Sequence, residues 1–192
     1  MSSPLVSVLM ITYNHEKFLS TAIESVLMQE VSFPFEVVIG DDSSTDSTGD
    51  LCRKYALRNP DIIRLSSKDR NLGMITNFIT TLSVCKGDFI AICEGDDYWI
   101  DPFKLQKQVN FLENNPGYAL VHTNKKVLVD GILYNDNQIK NKEAMLLFED
   151  ILISNTISPV TVLIRADILK KTAMKVGLYA KERNEKYSEE KI

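Results

Sequence analysis

Glycine-rich phosphate signatures are missing from this chain. No GxGxxG follows its first apolar run, and no GxxxxGK[ST] occurs anywhere. That removes the usual cradles of dinucleotide enzymes and P-loop ATPases. There is no GxSxG nucleophile elbow. The two histidines, His15 and His122, share no ligand spacing with each other or with the three cysteines. Cys52, Cys85 and Cys93 form no CxxC pair, which argues against both a zinc site and a disulfide scaffold. Cys85 and Cys93 lie in apolar runs and read as small core residues, and the sparse usage fits a reducing, cytoplasmic compartment. No apolar stretch approaches the ~18 residues that a membrane span needs. Residues 1–4 lack a basic leader, so no signal peptide is expected. Peripheral attachment, at the inner face of the membrane, is left open. An excess of basic residues is also lacking: 22 basic against 26 acidic side chains leave a net charge of -4. Bulk attraction to nucleic acid is therefore not expected.

What is present is an ordinary globular composition, 44% hydrophobic and 25% charged over 192 residues, enough for one sizeable core. Within it, two apolar runs end abruptly in acids. Phe89-Ile90-Ala91-Ile92-Cys93 is followed by Glu94-Gly95-Asp96-Asp97, three carboxylates in four positions. Phe35-Glu36-Val37-Val38-Ile39-Gly40 is followed by Asp41-Asp42. Unpaired buried carboxylates cost several kcal/mol each, so these groups belong at the mouth of a strand, holding a divalent metal. Two buried strands that both end in acids point to one cleft at the carboxyl edge of a parallel sheet.

The periodicity predicts strands over 5–11, 35–39, 61–65 and 88–93, alternating with helices over 15–28, from Thr45 or Asp46 to about Leu57, over 72–84, and from near Pro102 to Asn114. The first helix should present Phe18, Leu19, Ala22, Ile23, Val26 and Leu27 on one face. This alternation is that of a doubly wound, mostly parallel α/β sheet. After Gly117 the pattern changes. Strands are predicted over 118–122, 126–129 and 160–164, a hairpin turn at Asp130-Gly131, and helices over 144–152 and from Ala166. The expected organisation is an α/β part over 1–117, a smaller mixed-sheet part over 118–180 and a polar tail over 181–192.

The motifs in order are Val6-Ser7-Val8-Leu9-Met10-Ile11-Thr12-Tyr13-Asn14, then Val38-Ile39-Gly40-Asp41-Asp42-Ser43-Ser44-Thr45-Asp46, then Asn71-Leu72-Gly73, then Glu94-Gly95-Asp96-Asp97. Together they resemble family 2 glycosyltransferases of the GT-A fold, over roughly the first 115 residues, with glutamate leading the D-x-D element. The resemblance implies transfer of a sugar from a nucleotide-sugar to a glycan or lipid-linked acceptor, with inversion and with Mg²⁺ or Mn²⁺. It also implies that Thr12 and Tyr13 contact the base and that Asp41 or Asp42 accepts a hydrogen bond from it.

The chemistry of the residues agrees with such a role. A cation held by hard oxygen ligands neutralises the diphosphate leaving group. Asp97 is the first choice for the direct metal ligand. Asp96 is a second ligand or a ribose and donor-sugar contact, and both are the candidate catalytic acids. Glu94 is placed at the sugar or at a metal-bound water. Asn14 is expected to hold the turn joining the two acidic loops. Other readings stand beside these. Asp41, Asp42 and Asp46 suit backbone-capping turns, and Lys68 and Arg70 either reach the diphosphate or sit on a solvated loop. Tyr98 and Trp99 stack on a sugar or pack beneath the cleft. His15 reads as an ordinary surface histidine, and His122 as a wall of an acceptor pocket.

An inverting transfer also needs a general base. The family's E-D or D-W pair before an apolar helix has no convincing counterpart after Ile164. Glu149-Asp150 precedes that strand, and Glu182, Glu185, Glu189 and Glu190 lie in the polar tail. The base stays unassigned, and the chain reads as stopping short of a full catalytic domain. The leading expectation is an inverting glycosyltransferase of surface polysaccharide synthesis. The alternatives are a donor-binding module with little transfer activity and a sugar nucleotidyltransferase.

Overall fold

The computed structural model describes residues 3–66, 69–135 and 157–175. The mostly apolar run after Leu5 becomes strand β1, Val6–Thr12, with every residue buried, the polar Ser7 and Thr12 included. Strands β2 (Phe35–Asp41), β3 (Ile63–Leu65) and β4 (Phe89–Ile92) follow, separated by helices α1 (Leu19–Leu27), α2 (Thr48–Arg58) and α3 (Met74–Val84). β1 pairs in parallel with both β2 and β4, and β2 with β3. Buried on both faces, these strands are mostly apolar rather than alternating, as a helix-covered parallel sheet favours, and the buried Ser7 hydroxyl on β1 donates to Glu36 Oε1 on β2 at 2.7 Å.

Helix α4 (Lys104–Asn114) leads to β5 (Leu120–His122), the hairpin strands β6 (Lys126–Val129) and β7 (Ile132–Asn135), and β8 (Val162–Arg165) after one 3-10 turn at Pro159–Thr161. A fifth helix, α5, covers 166–175. β8 pairs antiparallel with β4 and with β5, so one mixed sheet of six strands runs β3-β2-β1-β4-β8-β5. β5 and β8 thus extend the sheet already built, while β6 and β7 pair with each other in a separate two-stranded antiparallel sheet. The hairpin turns on Asp130 and Gly131, both at positive φ (49° and 79°), as the sequence predicts. The helix predicted over 144–152 and the tail over 181–192 lie outside the described residues.

One apolar layer lies between the sheet and α1, α2 and α4, around Val8, Met10, Ile23, Leu105 and Leu112. The other lies under α3 and α5, around Leu9, Val38, Leu82 and Ile90. Trp99 is 4% exposed in the first layer, so of its two readings the packing one holds. Its indole N–H donates to the Val160 carbonyl at 3.0 Å, which ties the segment after β4 to the one before β8. All three cysteines are buried and unpaired.

Two expectations about α1 need correction. The helix proper begins at Leu19 rather than His15, because the His15 carbonyl accepts from the amides of both Phe18 and Leu19 and closes a turn first. Phe18, expected on the buried face, is therefore exposed.

Candidate active site

β1 sits inside the sheet, with its successor β2 on one side and β4 on the other. The crevice at the carboxyl end of such a strand is where open α/β sheets bind ligands. Register brings the two acidic loops to the same place. The Asp42 amide donates to the Thr12 carbonyl and the Gly95 amide to the Ile11 carbonyl, both at 3.0 Å. Each loop thus continues the strand ladder for one more bond against the last residues of β1.

A cleft of about 550 Å³ opens there, lined by Ile11, Thr12, Tyr13, His15, Asp42, Asn71, Gly73, Met74, Asn77, Glu94 and Asp96. Asp42, from the loop after β2, and Glu94 and Asp96, from the loop after β4, share this one cavity. Asp42 is buried, and its two carboxylate oxygens accept from the amides of Leu72 and Gly73, each at 2.8 Å. It thereby pins the Asn71-Leu72-Gly73 loop to the end of β2, and Gly73 meets that geometry with a φ of 81°. Asp41 lies off the cleft lining and, like Asp42, accepts from a loop that follows it. Its Oδ1 accepts from the amide and hydroxyl of Ser44 at 3.2 and 2.5 Å.

Asn14 is in the left-handed region at φ 57°. Its amide donates to Ser44 Oγ, and its Oδ1 accepts from the Thr45 amide at 2.8 Å. It joins the β1 loop to the β2 loop, not the two acidic loops to each other. Asp46 accepts from the amides of Thr48 and Glu16 at 2.9 and 3.2 Å, stitching the starts of α1 and α2 together. Burial pushes its carboxyl upward, but these bonds outweigh it and hold the group below its usual range.

Tyr13 lines the cleft and is 42% exposed. Arg70 is exposed and off the cleft lining, and Lys68 lies outside the described residues. Asp97 is half-buried and also off the lining. Its amide donates to the Glu94 carbonyl at 3.1 Å. Burial, and after it the Asp96 charge, pushes the Asp97 carboxyl up, against the pull of Lys125 and His15. Glu94 is also raised, by burial and then by Asp97 and Asp96. His122 ends the edge strand β5, away from the cleft lining, with its Nδ1 buried and unpartnered.

His15 is no ordinary surface histidine. It lines the cleft, with Nδ1 buried and unpartnered and Nε2 3.9 Å from Asp96 Oδ2. Asn77 and Met74 also reach the cleft, and sequence reasoning passed over both. Gly40 brings them there. A Cβ on Gly40 would run into Thr81 Oγ1 and Asn77 Oδ1, and the Asn77 amide group donates to the Gly40 carbonyl at 2.8 Å. A glycine at the end of a buried strand was the available signal for this close approach of helix and strand.

Among the described residues, no three His, Cys, Asp or Glu side chains enclose a cation site. Mg²⁺ or Mn²⁺ does not require such a cage. Mg²⁺ characteristically takes one or two carboxylates and completes its shell with water and phosphate oxygens. Glu94 and Asp96 offer hard oxygens on a cleft wall; burial first, and then the charges of Asp97 and Asp96, push Glu94 up, and a cation would offset both. The donor set fits.

A sequence profile described as "Glycosyl transferase family 2" matches residues 7–172. Among solved structures, the S. aureus protein TarS (residues 1–349), in complex with UDP, superposes with a TM-score of 0.68 at 30% identity, covering 87% of this chain and 48% of that one. The mannosyltransferase PcManGT from Pyrobaculum calidifontis, in complex with GDP-Man and Mn²⁺, superposes at 0.56 with 26% identity, covering 64% and 36%. The Escherichia coli UDP-Glc:alpha-D-GlcNAc-diphosphoundecaprenol beta-1,3-glucosyltransferase WfaP is 30% identical over 156 residues, 80% of this chain and 60% of that protein. This chain spans three fifths or less of the length of these proteins.

Proposed function

The chain belongs to glycosyl transferase family 2, and on that premise we propose that it takes a sugar from a nucleotide-sugar and transfers it, with inversion, to an acceptor in surface polysaccharide assembly. The observation that carries this reading is the shared cleft, with Asp42 on one wall and Glu94 and Asp96 on another. The base lies against Tyr13, with Thr12 beside it. Asp42 accepts from the base through the lone pairs that Leu72 and Gly73 leave free. The diphosphate points toward Glu94 and Asp96. Asp96 takes the metal-ligand role first expected of Asp97, because Asp96 faces the cleft, and Glu94 assists. A bound Mg²⁺ or Mn²⁺ supplies charge compensation for the departing diphosphate.

The relatives support the donor side through their own ligands: UDP in TarS, GDP-Man with Mn²⁺ in PcManGT. On the acceptor side, the cleft continues through Ile11, Met74 and Glu94 into an apolar groove walled by Phe78, Ile79, Leu169 and Ala173. A groove of that character suits an acceptor with an apolar part, and WfaP acts on a diphosphoundecaprenol-linked one. No described helix is long and apolar enough to cross a membrane. We place the work in the cytoplasm, at the inner membrane face, where such an acceptor would be met.

A thermal-shift screen of a nucleotide-sugar panel, with and without Mn²⁺, tests the reading. At least one donor is expected to raise the melting temperature only when the metal is present. A panel in which none does would overturn it.

A further inference from the structure

His15 stands at the seam between the β1 and β4 loops. Its amide donates to Thr48 Oγ1 at 2.8 Å, and its carbonyl accepts from Phe18 and Leu19, so its backbone is fixed on both sides. Its ring is held against Gly95, where an added Cβ would lie 3.0 Å from Nδ1 and 2.5 Å from Thr12 Oγ1. No larger residue at 95 would let the β4 loop come this close. Both of those polar atoms are buried without a hydrogen-bond partner. Burying an unpaired N–H forfeits the full hydration of that donor. The tautomer with its proton on Nε2, at the cleft side, avoids this cost.

From Nε2 to Asp96 Oδ2 is 3.9 Å, too long for a hydrogen bond and close enough for a turn of the exposed Asp96 side chain to make one. We propose that His15 is a positioning residue: its Nε2–H holds the Asp96 carboxylate in the orientation that receives the diphosphate and its cation. The inference rests on the reading that Asp96 serves both. A donor placed behind a ligating carboxylate fixes its direction, as outer-shell partners do at metal sites in general.

The two amide isosteres separate this role from simple space-filling. The amide nitrogen of His15→Gln falls near the Nε2 position, and that of His15→Asn near Nδ1. Affinity for UDP would be measured by calorimetry, with and without Mn²⁺, on the full chain as wild type, His15→Gln, His15→Asn and His15→Ala, with melting temperatures as the folding control. The affinity gained from Mn²⁺ should fall about 10-fold or more in the Ala and Asn variants and stay within about threefold in Gln. Metal-free affinity should change far less than the gain from Mn²⁺, and the melting curves should show every variant folded. An unchanged gain in His15→Ala, or Asn performing as well as Gln, would overturn the proposal. So would a matching loss of metal-free affinity in all three variants, which would mark a purely structural role. A wild type that gains nothing from Mn²⁺ would instead refute the metal reading itself, and the proposal would fall with it.

Discussion

At the scale of single residues, the cleft is built from groups held at some cost to the fold. Glu94 is half-buried and raised by burial and by its acidic neighbours. A carboxyl whose folded pKa is raised stabilises the fold below its unfolded pKa, and that contribution is lost as pH rises through the folded value. At neutral pH, ionised Glu94 is therefore a liability in the metal-free protein. Glu94→Gln is expected to raise the metal-free melting temperature at pH 7, by roughly 2 °C after allowing for solvent screening, while weakening Mn²⁺-dependent nucleotide binding. A melting curve at pH 4.5 should show the advantage shrinking. An equal advantage at both pH values would show that ionisation is not its source.

Away from the cleft, Lys104 on α4 is another group held at a cost. Burial pulls its amine down to about 7, against the opposing charge of Asp101. The ammonium lies 4.2 Å from the Trp99 ring centre and donates to Gln108 at 2.7 Å, contacts that favour the charged form but do not outweigh burial. Between pH 7 and the unfolded value near 10.5, the unfolded chain holds more protons here, so stability should rise with pH. Lys104→Met is expected to flatten that rise, as read from unfolding midpoints at pH 7 and 9. An unaltered slope would count against the assignment.

At the scale of elements, one glycine sets how the donor cleft is walled. α3 can lie on β2 only because Gly40 has no side chain to meet Thr81 and Asn77. Gly40→Ala should force α3 outward, costing about 1–3 kcal/mol as overpacking does. It should weaken nucleotide binding as well, since Met74 and Asn77 move with the helix. Denaturant unfolding and a nucleotide titration on the same variant check both halves. A loss of stability with binding intact would free the cleft from dependence on α3.

The parallel core was legible because β1, β2 and β4 are dominated by apolar residues, and the hairpin because Asp130-Gly131 stands between two short strand-like runs. The start of α1 was not legible. The 15–18 turn draws on a bond to Thr48, which lies 33 residues away. The division of labour between Asp41 and Asp42 was equally hidden. The two are adjacent in sequence, and only the folded chain shows Ser44 beside one and the amides of Leu72 and Gly73 beside the other.

At the scale of the whole molecule, the sheet works as a platform on which the loops after β1, β2, β3 and β4 converge. His15 was passed over because sequence spacing cannot reveal that Gly95 brings a distant loop against its ring. β5 and β8 complete the six-stranded sheet through antiparallel pairing of β8 with β4, a contact that strand–helix alternation alone does not encode. The central claim is that this one cleft holds a nucleotide diphosphate and its metal together. Calorimetric titration of UDP, and of GDP in parallel, into the full chain with and without Mn²⁺ tests it most directly, with Asp42→Ala and Asp96→Ala as partners. The account predicts that Mn²⁺ tightens binding of one of the two nucleotides, that Asp96→Ala abolishes this gain, and that Asp42→Ala weakens binding whether or not metal is present. A wild type indifferent to Mn²⁺, or a metal gain that survives Asp96→Ala, would contradict it.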